Sequence, residues 1–325
     1  MSVELSVVTT MYMSAPYLRE FHARVTRAAA SISSSFEVIY VNDGSRDDSL
    51  EVAREIQRGD VPVRIVDLSR NFGHHRAIMT GLAHARGRQV FLIDCDLEEP
   101  PEELPRFHEV LQRERADAVF GVQVKRKGGL MERVSGALFY RLFNLLSSHA
   151  VTENQVIARL MTRRYVDALV MHRDREIFLA GLAAITGFKQ VAVPVEKHSK
   201  GSTTYTFSKR VAALVNALTS FSSKPLVYIF YLGLVISVVA AAAAAYLIIR
   251  RVFFGVLLSG WPSLMVSIWF FGGMTIFCIG VIGIYLSKVF SEIKDRPYTI
   301  VREVLEPDVQ PLASASRPVS LEKES

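Results

Sequence analysis

A chain of 325 residues with net charge +6 and a hydrophobic fraction of 50% is longer than one typical domain and unusually apolar for a soluble protein. Its basic residues are scattered apart from Lys125-Arg126-Lys127 and the stretch 197–200, with no basic helix or aromatic-basic motif. That argues against a nucleic-acid partner and for a polyanionic small molecule or an anionic membrane surface.

The opening "MSVELSVVTT" lacks the basic start and long apolar run of a signal peptide, so none is expected. Strands are predicted at 5–10, 37–42, 63–68, 89–94 and 118–122, each short, β-branched or aromatic, and bounded by turn residues. Helical patterns fill the gaps at 15–31, 47–58, 75–86 and 102–113. This alternation predicts an α/β fold with a mostly parallel sheet flanked by helices, whose ligands sit beyond the carboxyl ends of the strands. The polar clusters "NDGS", "SRNFGHHRA" and "DCDLEEP" fall at three such ends. Cys95, inside the last cluster, and Cys278, in an apolar run, are not expected to form a disulfide, which suits a reducing cytosol.

Farther along, 130–148 and 164–171 read as helices, 190–196 as a strand, and "KHSKGSTTYTF" as a polar loop. Residues 207–223 read as an amphipathic helix with Val211, Leu214, Val215, Leu218 and Phe221 on one face. It is either a core helix or a membrane-interface helix, and its place before a long apolar run favours the interface. Residues 226–249 and 264–287 are charge-free stretches of 24 residues each, and a spanning helix needs ~20. Gly260 and Pro262 break the connection, so 224–290 is expected to form a transmembrane hairpin.

Lys209, Arg210, Lys224, Lys288, Lys294, Arg296 and Arg302 flank the hairpin, against Arg250 and Arg251 between its helices. The bias predicts a multi-pass protein of the inner (cytoplasmic) membrane, with domain 1–206 and both termini in the cytoplasm. Residues 291–325 form a cytoplasmic tail, polar and Ser/Pro-rich after Pro307, where disorder is expected. Gly272, Gly273, Gly280 and Gly283 would allow close helix contact and hence a homo-oligomer.

In "QVFLIDCDLEEPPEEL" an apolar run meets six acids. The strand period of two points Asp94 and Asp96 one way and Cys95 the other. Two like charges so close call for a cation between them, and oxygen ligands suit Mg²⁺ or Mn²⁺. Glu98 is a candidate third ligand, whereas Glu99, Glu102 and Glu103 read as acids at the start of the next helix. Mg²⁺ completes its shell with substrate phosphates, so a diphosphate substrate is implied. In "VNDGSRDDS", Asn42 and Asp43 are suited to hold a base or ribose, unless the segment is only an Asx turn with Ser45 or Asp47 capping a helix. There is no P-loop, dinucleotide fingerprint or G-x-S-x-G elbow, and adjacent His74 and His75 read as helix-start residues rather than metal ligands.

"VVTTMY", "VIYVNDGSRDDSL", "LSRNFGHHRAIMTGL", "FLIDCDLEEPPEEL" and "TSFSSKPL" together resemble inverting family-2 glycosyltransferases of the GT-A fold, in the branch that glycosylates polyprenyl phosphates. The resemblance implies a nucleotide sugar donor, a polyprenyl phosphate acceptor and a divalent ion on Asp94, Asp96 and Glu98. It implies donor contacts from Thr10, Tyr12, Asn42, Asp43, Asn71, Arg76 and Asp94, and catalytic roles for Asp96, Lys125 and Arg159. Arg126, His198, Lys200, Ser202 and Tyr205 fall where the branch meets the acceptor phosphate. The sequence departs from the family's D-x-D-x-Q at Glu98, from its "YNE" at Met13-Ser14, from its paired arginines at Gln123 and Lys125, and from its D-x-G-x-x-R-L-M at "NQVIARLM".

The implied reaction is attack of the acceptor phosphate on the anomeric carbon with loss of the nucleoside diphosphate. An ionised phosphate needs no strong general base. Two competing readings stand. One is a membrane glycosyltransferase with a hydroxyl acceptor, using Asp174 or Glu176 as base. The other is a non-catalytic module that binds nucleotide sugars.

Overall fold

The computed structural model describes residues 3–59, 62–123, 152–174, 177–197, 219, 222, 224–254 and 260–307. Its first part alternates as the sequence predicts: β1 (Leu5–Met11), α1 (Ala15–Ala30), β2 (Phe36–Asn42), α2 (Ser49–Gln57), β3 (Val63–Leu68), α3 (His74–His84), β4 (Gln89–Leu92), a 3₁₀ turn (Pro101–Glu103), α4 (Leu104–Glu114) and β5 (Ala118–Gln123). Then come β6 (Gln155–Thr162), α5 (Arg163–Val170), α6 (Leu179–Thr186), β7 (Gln190–Val195), α7 (Lys224–Phe254), α8 (Trp261–Ile293) and β8 (Val301–Leu305). The predicted helix at 130–148 and the amphipathic segment 207–223, apart from positions 219 and 222, lie outside the described residues.

The strands form one sheet in the order β7-β5-β6-β4-β1-β2-β3-β8. β4, β1, β2 and β3 run parallel, and so do β5 and β7. β6 lies between β4 and β5, antiparallel to both. The central strands are buried on both faces, as a helix-covered parallel sheet requires. Neighbours in β1 serve opposite layers: Val7 packs with Phe21 of α1 and Phe107 of α4, and Val8 with Ile78 of α3 and Leu169 of α5.

Three elements were not read from the sequence. β6 carries Arg159 in mid-strand, α6 is short and apolar all round, and β8 lies in the expected tail. β8 returns from the end of α8 to pair antiparallel with β3. Glu306 just beyond it ion-pairs with Arg64 and Arg86 at 3.0 and 2.9 Å. β4 also stops at Leu92, short of the predicted Asp94.

α7 and α8 expose large apolar side chains, among them Phe230 and Trp269 (77% exposed), a surface that water does not favour. Within α8, Ser267–Ile293 is the one stretch among the described residues long and apolar enough to cross a membrane. The apolar stretch Lys224–Ala240 of α7 is shorter. α7 as a whole runs 31 residues, Lys224–Phe254, and contains the charge-free stretch 226–249.

Under the sheet, Arg64 and Glu37 form an ion pair at 3.2 Å with both side chains about 95% shielded (4% and 5% exposed). Glu37 also accepts hydrogen bonds from Ser6 Oγ and the Arg86 amide at 2.6 and 2.8 Å. Removing one partner of a buried pair strands the other charge, a loss of about 3–5 kcal/mol. Arg64→Met is therefore expected to lower the chemical-denaturation stability of the detergent-solubilised protein by that order, while Arg88→Met, at a 3.7 Å surface pair with Glu4, changes it by less than about 1 kcal/mol.

Candidate active site

The carboxyl ends of β1 to β4 meet along one edge. Asn42 ends β2. Its Nδ2 donates to Asp67 Oδ1 of the adjacent strand at 2.7 Å, and its Oδ1 accepts the Ser45 amide at 3.1 Å. The turn is thus closed by the Asn42 side chain, while Asp47 accepts the Ser49 amide at 3.3 Å at the start of α2, as expected of a cap, and also the Ala15 amide of α1 at 3.1 Å. Gly44 has φ +63°, and a Cβ on it would lie 2.5 Å from the Arg70 carbonyl carbon and the Asn71 amide nitrogen. Only glycine lets the β2–α2 turn press so close to the β3–α3 loop. Asp43 fixes that loop by accepting the Phe72 and Gly73 amides at 2.7 and 3.0 Å. Both predicted donor residues in this turn thus hold the edge together as well as bordering it.

Beyond β4, Cys95 turns inward and donates from Sγ to the Thr10 carbonyl at 3.1 Å. Asp94 faces the first residue of α3: His74 Nε2 lies 3.4 Å from Asp94 Oδ1, and His74 Nδ1 hydrogen-bonds Thr10 Oγ1 at 3.0 Å. Burial, then the negative charge of Asp96, pushes the Asp94 carboxyl up to about 7. Burial likewise lowers the pKa of His74 and of His75.

The next residues part company from Asp94. The Glu98 amide donates to Asp96 Oδ1 at 3.0 Å, Leu97 sits in the left-handed region at φ 62°, and Glu98 swings to Lys197 Nζ at 2.9 Å. Among the described residues no group of three or more His, Cys, Asp or Glu side chains is arranged to hold a metal ion. The expected three-acid set is therefore not assembled: Glu98 is committed to a lysine. Glu99, read as a helix-start acid, is instead 2% exposed and accepts the Ile157 and Ala158 amides of β6 at 3.1 and 2.6 Å. Burial and the nearby Asp94 charge push its carboxyl up to about 7, against the pull of Lys197 and the two amides.

Arg159 is 4% exposed. Its guanidinium donates to the carbonyls of Ile157 and Val156 at 3.2 and 3.3 Å. Burial lowers its pKa, while Tyr165, Glu99 and Asp94 raise it. It is thus an internal countercharge beneath the acidic turn. Lys197, at the end of β7, resists the effect of burial through its hydrogen bond to Glu98 and the charges of Glu99 and Asp96, which together raise its pKa.

Tyr12 (46% exposed), Asn71 and Arg76 lie on the same edge, the first two exposed and Arg76 half-buried in the first turn of α3. Lys125, Arg126, His198, Lys200, Ser202 and Tyr205 fall outside the described residues, as does Glu176. Sequence reasoning missed three participants, His74, Glu99 and Lys197. Only Lys197 left a usable signal, as the first cation of the basic stretch that opens the polar loop.

The model of glycosyl transferase family 2 matches residues 6–169. A Mycobacterium tuberculosis protein (strain CDC 1551 / Oshkosh) that carries a glycosyltransferase name is 53% identical over 94% of this chain and 90% of its own length. The uncharacterized glycosyltransferase YkcC of Bacillus subtilis is 32% identical over 93% and 94% of the two chains. The prophage bactoprenol glucosyl transferase homolog of Escherichia coli K12 is 32% identical over 93% of this chain and 99% of its own. The chain belongs to glycosyl transferase family 2 and is a glycosyltransferase.

An acid whose pKa is raised from 3.8 to about 7 on folding holds its proton in the folded state where the unfolded chain has lost it. Asp94 therefore makes stability fall as pH rises from about 4 to about 7, with no further loss above that. Thermal melts in detergent with a chelator present should show wild type losing stability relative to Asp94→Asn across that window. Parallel curves for the two proteins contradict the placement of Asp94.

Proposed function

We propose that this glycosyltransferase moves a sugar from a nucleotide diphosphate sugar to a polyprenyl phosphate such as undecaprenyl phosphate, at the cytoplasmic face of a membrane that α7 and α8 enter as a hairpin. The observation that carries the reading is one continuous chain in which a cation-seeking strand edge, centred on Asp94 and Asp96, is joined through β8 to a helix of membrane-spanning length. The relative named for bactoprenol supports a lipid acceptor, since the two chains align over nearly their whole lengths.

The residues fit a divalent ion in a reduced form. A carboxyl raised to about 7 by burial and then by its neighbour's charge favours its ionised form when a cation arrives, and Mg²⁺ takes one or two protein carboxylates with phosphate oxygens completing the shell. Asp94 and Asp96 would hold it, and Glu98 would not. Bound there, Mg²⁺ or Mn²⁺ supplies Lewis-acid stabilisation of charge on the leaving diphosphate.

The protein's own groups do the rest. Asn42, Asp43 and the Gly44 turn border the nucleoside side of the edge. His74, lowered in pKa by burial, orients the Asp94 carboxylate through Nε2 while Thr10 holds Nδ1. Lys197 and Arg159 keep the acidic turn near neutrality, so an anionic substrate can approach. The acceptor phosphate attacks the anomeric carbon in line, and Lys125, Arg126, His198 and Lys200 supply its countercharge.

One observation favours the hydroxyl-acceptor reading. Asp174 lines a cavity of about 810 Å³ together with Tyr285, Lys288 and Glu292 of α8. Burial, with Glu292 and against His172, raises its pKa, as a general base needs.

Full-length protein in lipid, given undecaprenyl phosphate, Mn²⁺ and labelled UDP-, GDP- and dTDP-sugars, is expected to move label from one donor into the organic phase. Asp96→Ala should lower the rate by about a hundredfold or more, and Asp174→Asn by less than about threefold. Label moving only to a hydroxyl-bearing glycolipid, with Asp174→Asn inactive, overturns the phosphate-acceptor reading.

A further inference from the structure

β8 does more than extend the sheet. Arg302 Nη1 donates to Asp67 Oδ2 at 3.1 Å, and its Nη2 to the Ser69 carbonyl at 2.9 Å. The other oxygen of Asp67 accepts from Asn42 Nδ2, whose Oδ1 in turn holds the Ser45 amide and so shapes the Gly44 turn. Ser69 opens the loop that Asp43 fixes through Phe72 and Gly73. One guanidinium thus ties both loops that border the nucleoside side of the edge. It sits on a strand that begins shortly after α8 ends at Ile293, and the link between them is itself anchored: Thr299 Oγ1 hydrogen-bonds Thr80 Oγ1 at 2.8 Å, and the Ile300 carbonyl accepts the Ser69 amide at 2.9 Å.

The Asp67 side chain is 2% exposed, whereas Arg302 is 58% exposed. The guanidinium is therefore the accessible member of a tie whose other end is buried. Without it, a side chain that is 2% exposed loses its guanidinium partner and keeps the bond from Asn42 Nδ2. Of the other ion pairs of this segment, Glu306 joins Arg64 and Arg86 beyond the end of β8, whereas Glu303, the register partner of Asp67, pairs with Arg54.

We propose that Arg302 is a positioning residue for the nucleotide donor: through Asp67 and Asn42 it sets the two loops that receive the nucleoside, and it makes the donor site dependent on the strand that returns from the membrane helix. The proposal rests on the donor-edge reading above. It adds a residue that no motif of the sequence marks and a coupling between membrane anchorage and donor affinity.

The test compares wild type, Arg302→Met, Arg302→Lys, Asp67→Asn and the Asp67→Asn/Arg302→Met pair, all full-length in lipid, with Glu306→Gln as the control for a loosened β8. Two readouts are taken: steady-state transfer, and direct calorimetric binding of UDP, GDP and dTDP. Arg302→Met should raise the donor KM, and weaken binding of the preferred nucleotide, about tenfold, with kcat within about threefold of wild type. Arg302→Lys should recover part of that, since it keeps the charge but not both bonds. The double variant should be no worse than Arg302→Met alone, because both changes cut one tie. Glu306→Gln should leave the donor KM within about twofold.

Equal donor KM and nucleotide affinity in Arg302→Met and Glu306→Gln overturn the proposal, as does a fall in kcat with KM unchanged. Nucleotide binding without transfer in wild type overturns the acceptor reading alone, and the binding comparison still decides the role of Arg302. A wild-type protein that binds none of the three nucleotides overturns both.

Discussion

Asp94, Asp96, Glu98 and Glu99 stand within six residues just past the end of a buried strand, and their mutual repulsion is the constraint that shapes the site. Three of them find different resolutions. Glu99 folds under the sheet onto two amides of β6. Glu98 is turned outward by Leu97 onto Lys197. Asp94 sits beside His74 with its carboxyl raised to about 7, by burial first and then by the charge of Asp96, and Arg159 lies beneath as a buried countercharge. Asp94 and Asp96 remain close neighbours, whose repulsion a divalent ion with a diphosphate would relieve. β6 matters here for a reason separate from packing, because it supplies both the amides and the arginine.

The same edge is finished from far along the chain. The two loops beyond β2 and β3 hold each other through Asp43 and the Gly44 contact, and β8 closes the far side of β3. A membrane-length helix therefore does not hang from the domain by one flexible end. It continues through a short anchored link into a strand that is hydrogen-bonded into the sheet, so helix and site share one framework.

Much of this was legible in the sequence, for identifiable reasons. β1 to β5 are short apolar runs with turn residues at both ends, the form that burial on two faces imposes. Asp94 and Asp96 stood out because acids directly after such a run have no structural excuse. β6 was hidden because Arg159 interrupts an otherwise apolar run, and its burial makes sense only beside Glu99 and Asp94. β8 was hidden because five residues of mixed polarity carry too little pattern to be told from a tail. The Glu98–Lys197 pair depends on one left-handed residue and on where β7 ends, and the Arg302–Asp67–Asn42 tie depends on strand register. Neither can be had from local sequence.

The central claim is that the acidic turn is divided, with Asp94 and Asp96 serving the cation and Glu98 serving Lys197. Manganese binding in the presence of nucleoside diphosphate, followed by electron paramagnetic resonance on wild type, Asp94→Asn and Glu98→Gln, tests that division directly. The account predicts that Asp94→Asn weakens Mn²⁺ binding at least about tenfold, while Glu98→Gln leaves it within about threefold of wild type. Equal loss in both variants would mean that Glu98 leaves Lys197 to complete a three-acid site, and would contradict the account.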